Sequence, residues 1–119
     1  MQPNLAVVSL WAEDVAATAH FYRDVIGLHL LKHDQHRPHF ELGGAYLVIL
    51  HGRPLTPLDQ VPSRFPIVAF SVDDLDLAVE RLRTHQVDLP WGIEEDPDSH
   101  WVMFHDPDGN LIELAQFKR

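Results

Sequence analysis

The sequence predicts an α+β fold made of two tandem strand–helix–strand–strand–strand modules, helices outside and a concave sheet face between the halves. Three observations predict it. An apolar, β-branched-rich run leads into an aspartate and then a helical stripe twice, at Asp14 and at Asp74, 60 residues apart. Between the two copies, GRPLTPLDQVPSRFP carries four prolines and neither a helical nor a strand period. Each copy also closes on strand-like runs joined by glycine turns, Gly43-Gly44 in the first and DPDG (Asp106 to Gly109) in the second. A repeated supersecondary unit implies that neither half buries its sheet alone. The chain therefore reads as a single domain, 1–119, with module 1 at 1–52, a linker at 53–65 and module 2 at 66–119.

The elements follow in order. Leu5 to Trp11 (LAVVSLW) is a strand by composition. Asp14 offers an N-cap, and Val15, Ala19, Tyr22 and Ile26 fall on one helical face. Gly27 stands where a C-cap glycine ends such a helix. His29 to His33 and His39 to Leu42 read as short strands around a polar turn, and Gly43-Gly44 turns the chain into AYLVILH, Ala45 to His51. After the connector, Ile67 to Val72 is a strand, and Asp73 or Asp74 caps a helix with Leu75, Val79 and Leu82 on one face. Weaker strands are predicted near Trp91–Ile93 and at His100–His105. In DPDG, Pro107 presets φ and Gly109 is free to take positive φ, delivering the chain into a last strand, Leu111 to Gln116.

Composition excludes several functions. The chain has 119 residues and no cysteine, which removes disulfides, thiolate metal sites and cysteine nucleophiles together. Eighteen acidic residues against nine basic ones give a formal charge of −9, a poor match to nucleic acid, whose phosphates must be met by Lys and Arg. If that acidity lines a cleft it favours cationic ligands. No basic leader and no apolar run of about 20 residues is present, so a cytoplasmic protein without a membrane span is expected. Nine histidines are many for this length. Three of them, His33, His36 and His39, straddle one turn with no fixed common face.

WAEDVAATAHFYRDVIGL, ELGGAYLVIL, VDDLDLAVERL and DPDGNLIEL together resemble the vicinal oxygen chelate superfamily, which covers glyoxalase I, bleomycin-resistance proteins and extradiol dioxygenases. The resemblance runs over essentially the whole chain. It implies paired βαβββ modules, curved mixed sheets around a cleft, and a homodimer. In metal-dependent members up to four side chains from the first and last strands of each half bind a divalent cation. Carried over, those positions fall on Val7, on or near Ile49, on Ile67 and on Glu113, and only Glu113 can ligate. One carboxylate does not hold a divalent cation well.

In the register the resemblance implies, period-2 alternation turns Val7, Ser9 and Trp11 to the cleft, with Ile67, Ala69 and Ser71, with Leu47, Ile49 and His51, and with Leu111, Glu113 and Ala115. An inward Glu113 needs a partner or a proton. His51 is the nearest in sequence pattern, so Glu113 and His51 are the expected acid–base pair, and Trp11 offers cation–π attraction to a guest. The expectation is a protein that binds a small organic ligand in the inter-module cleft, without the usual metal and with no cofactor. The alternative is a lyase, isomerase or dioxygenase using Fe, Zn, Mn or Ni in a rearranged site built on Glu113 and His51.

Overall fold

The structure is a computed structural model that describes residues 5–31, 37–52 and 67–118. The chain divides into two compact units, Met1–Pro57 and Leu58–Arg119. The expected connector, 53–65, lies outside the described residues, as do His33 and His36.

In the first unit β1 (Val7–Ala12) leads into α1 (Val15–His20), whose winding widens to a π-helix over Phe21–Ile26, and then into β2 (His29–Leu31), β3 (His39–Glu41) and β4 (Tyr46–His51). The sheet order is β1-β4-β3-β2, with β1 and β4 parallel and the other pairs antiparallel. The second unit repeats the plan with β5 (Val68–Ser71), α2 (Leu75–Thr84), β6 (Ile93–Glu95), β7 (Ser99–His105) and β8 (Leu111–Phe117), ordered β5-β8-β7-β6 with β5 and β8 parallel. Two mixed four-stranded sheets, each with its own helix, make the α+β arrangement of paired βαβββ modules.

Both predicted caps form. Asp14 accepts a hydrogen bond from the Ala17 N–H at 3.0 Å, and Asp74 accepts from the Leu77 N–H at 3.1 Å, satisfying otherwise orphan donors. Leu75, Val79 and Leu82 are buried on α2 as the period predicts. The first helix differs. Its buried residues are Thr18, Phe21, Tyr22 and Val25, where the α-helical stripe gave Val15, Ala19, Tyr22 and Ile26. From Phe21 onward the π-helical stretch, with its i→i+5 winding, rotates the face; Thr18 precedes it. Gly27 ends it at φ 90°, donating to the Tyr22 carbonyl.

Helix contacts fix which face of each sheet is covered. The Tyr22 ring lies 6.1 Å from Phe40, placing the first helix on the side of Phe40 and Leu47, both fully buried. The Leu75 N–H donates to the Gln116 side-chain oxygen at 2.8 Å, placing α2 on the side of Ile112, Leu114 and Gln116. Val102 and Phe104, paired with Leu114 and Ile112, complete that core.

Two turns set the strand registers. Gly43 and Gly44 take φ of 67° and 101° between β3 and β4. At the other turn Asp106, 4% exposed, accepts from the backbone N–H of Asp108 and Asn110 and from the Asn110 amide, each at 2.9 Å, while Gly109 takes φ 84°. That network pins His105 opposite Leu111, and every later pair in the β7–β8 ladder follows. Among the described residues no helix is long and apolar enough to cross a membrane.

Candidate functional site

On the face of the second sheet opposite α2, rows of paired residues can be read across the strands. Ala69, Glu113 and Met103 form one row; Ser71, Ala115, Trp101 and Glu94 form the next; Leu111 and His105 flank them. Glu113, Ala69 and Ser71 thus share the face expected of them, and Ile67 immediately precedes β5. An open cavity of about 650 Å³ lies at the carboxyl ends of β5 and β8, lined by Ser71, Val72, Asp73, Gln116, Phe117 and Lys118.

Glu113 is half-buried, and among the described residues no hydrogen bond or ion pair reaches it. Desolvation, and then the nearby charge of Glu94, hold its carboxyl above the ordinary carboxylate range. The second carboxyl of this face went unseen in the sequence. One oxygen of Glu94, Oε1, is buried without a hydrogen-bond partner among the described residues. The charge that Glu113 carries inside an apolar strand is thus answered by a shift toward the protonated form.

The first unit requires a correction. In the β1–β4 ladder Val7 lies opposite Tyr46, Ser9 opposite Val48, and Trp11 opposite Leu50. The face opposite the helix therefore carries Val7, Ser9 and Trp11 with Tyr46, Val48 and Leu50. Leu47 and Ile49, expected on that face, point to the other side, where both are fully buried under the first helix. His51, paired with Ala12, stands on that same helix side at the exposed end of β4. The alternation was right and its phase off by one, which turns every side chain of a strand over. His39, opposite Val48, does reach the Trp11 face. Its Nδ1 lies 2.6 Å from the Arg37 carbonyl and its ring 6.4 Å from Tyr46.

The repeat now tests the fit of a metal. Ala69 faces Glu113 as Ser9 faces Val48, so the counterpart of Glu113 in the first unit is Val48, and Ile49 is a core residue. At the four positions that the resemblance assigns to metal ligands, Val7, Val48 and Ile67 offer methyl groups and only Glu113 can ligate, so the donor set of a divalent cation does not fit. Among the described residues no group of three or more His, Asp or Glu is placed to hold an ion.

Comparison with known proteins agrees with this architecture. Residues 4–114 match the model of the Glyoxalase/Bleomycin resistance protein/Dioxygenase superfamily. The chain belongs to this superfamily. Within the glyoxalase/bleomycin resistance/dioxygenase group it is 33% identical over 122 residues to the uncharacterized protein YaeR of Escherichia coli K12, covering 92% of each chain. It is 27% identical over 104 residues to the metallothiol transferase FosB of Staphylococcus haemolyticus, covering 85% of this chain and 74% of that one. Among solved structures, TnmS3, an antibiotic binding protein from Streptomyces sp. CB03234, superposes with a TM-score of 0.77 at 25% identity over 98% of both chains.

Proposed function

We propose that this superfamily member binds a small organic molecule on the helix-free faces of its sheets: Val7, Ser9 and Trp11 in the first unit, and Ile67, Ala69 and Ser71 around Glu113 in the second. One observation carries the reading. A carboxyl pushed toward its protonated form sits among apolar and small side chains where a cation would need further donors. A protonated Glu113 donates a hydrogen bond to a ligand oxygen; an amine takes the proton instead and leaves an ammonium beside Glu94 and on the face of Trp101. The formal charge of −9 favours that second partner. TnmS3, an antibiotic binding protein, supports a binding role, whereas FosB, a metallothiol transferase, stands on the side of metal-dependent chemistry.

The test is a screen of small organic cations against chain labelled at the Met103 methyl. Ligands of this site shift Met103 and the amides of Ala69 and Glu113, and lose affinity in Glu113→Gln. Hits that shift only residues of the helix-covered faces would overturn the reading. The same proposal takes the protein to be cytoplasmic, as its composition leads one to expect, and a homodimer, as its family resemblance implies; sedimentation at micromolar concentration showing only monomer would remove the second part.

A further inference from the structure

We propose that the cavity at the carboxyl ends of β5 and β8 binds a small aminocarboxylate, whose carboxylate meets the Gln116 amide and the Lys118 ammonium and whose ammonium meets Asp73. The site is additional to the small-molecule reading above. Of the residues named on the face around Glu113, only Ser71 lines it. At about 650 Å³ it falls within the roughly 300–1,000 Å³ usual for small organic ligands.

Gln116 supplies a donor whose direction is fixed. Its side-chain oxygen accepts from the Leu75 N–H at 2.8 Å. A backbone N–H only donates, so the amide oxygen must face Leu75 and the NH2 must face away from it. The bond ties β8 to the first residue of α2 and holds the amide rigid where Gln116 lines the cavity. Among the described residues nothing accepts from that NH2. The same bond already satisfies the Leu75 N–H, so the helix end is not itself the site.

Lys118 is tethered beside it. Its N–H donates to the Asp98 carbonyl at 2.8 Å and its Nζ to the Asp96 carbonyl at 3.2 Å, with a Glu95 carboxylate oxygen 3.9 Å away. A lysine can close a turn in this way with no ligand in view. An ammonium has three donors, however, and the tether to Asp96 uses one, on a side chain that also lines the cavity. The opposite charge stands at the end of β5: Asp73 lines the same cavity, while the capping of α2 falls to Asp74. Among the described residues no hydrogen bond or ion pair engages the Asp73 carboxylate. A simple anion is repelled by the net charge of −9 and a simple amine by Lys118, whereas a zwitterion meets both charges of the cavity in complement. Val72 and the exposed Phe117 flank its methylene groups.

The experiment titrates the isotope-labelled full chain by NMR with glycine, 4-aminobutanoate and 6-aminohexanoate, and with hexylamine and hexanoate, which carry one charge each. One length of the three should shift the Gln116 side-chain amide together with the backbone amides of Asp73 and Lys118 and leave Met103 in place. That ligand should bind at least about tenfold tighter than hexylamine or hexanoate, and lose about tenfold in Asp73→Asn and in Lys118→Gln. Gln116→Glu separates binding from structure. It keeps an acceptor for Leu75 and places a carboxylate at the start of α2, so the melting temperature holds, while the lost NH2 and added charge weaken the ligand by about tenfold. Full affinity in Gln116→Glu, equal binding of hexylamine, or no shift at Gln116 with any of the three lengths overturns the assignment. Shifts at Met103 and Glu113 instead would remove this site and leave the reading of the helix-free face standing.

Discussion

Glu113 costs this protein stability where it is ionised. Its folded-state carboxyl is raised above the ordinary value of 4.5 by desolvation and by Glu94, so between that value and the raised one the folded state holds a proton that the unfolded state has released. Stability therefore falls as pH rises through this window and stays lowered above it. Glu113→Gln should melt at a higher temperature than the wild type at pH 7, with the difference vanishing below pH about 4; a destabilised Gln variant at pH 7 would mean that an unseen partner holds the carboxylate. Glu94→Gln should bring the Glu113 titration back toward the ordinary range, read from its carboxyl carbon by NMR. Asp106 is the opposite kind of acid, buried and fully engaged by three donors of its own turn. Asp106→Ala leaves those donors stranded and should cost about 2–3 kcal/mol in denaturant unfolding.

At the level of the strand, the β4 register separates structural from functional positions. Ile49→Ala should destabilise by about 2–5 kcal/mol as a core truncation, whereas His51→Ala, at an exposed strand end, should change stability by less than about 0.5 kcal/mol. Equal effects on urea midpoints would contradict the placement. The caps at Asp14 and Asp74, the stop at Gly27, the two glycine turns and the stripe of α2 were legible because each rests on local chemistry. The phase of β4 was not, because its run YLVILH is apolar on both faces and alternation cannot choose between them. Two clues in the chain do fix it. The five residues DPDGN between His105 and Leu111 set Met103 opposite Glu113, and the 60-residue offset then carries the pair of Ala69 and Glu113 onto Ser9 and Val48. The π-helical turn at Phe21 has no such signal, and Glu94, in a short run of acids after a turn, reads as surface until β6 is paired with β7.

For the molecule as a whole, duplication supplies the same strand position twice and the sequence fills the two copies differently: Glu113 in one, Val48 in the other, with Val7 opposite Tyr46 and Ile67 just before β5. A protein of net charge −9 that draws organic cations to such faces should lose affinity as ionic strength rises from about 0.01 to 0.15 M, because screening shortens the reach of its charge from about 30 to 8 Å. Salt-independent affinity would argue against cationic guests. The claim on which the account turns is that Glu113, on a face it shares with Ala69, Met103 and Ser71, does not hold a divalent cation. Equilibrium dialysis of untagged protein against Mn, Fe, Ni and Zn, with Glu113→Gln in parallel, tests it directly. The account predicts no stoichiometric site that depends on Glu113; one tightly held equivalent in the wild type, absent from Glu113→Gln, would contradict it.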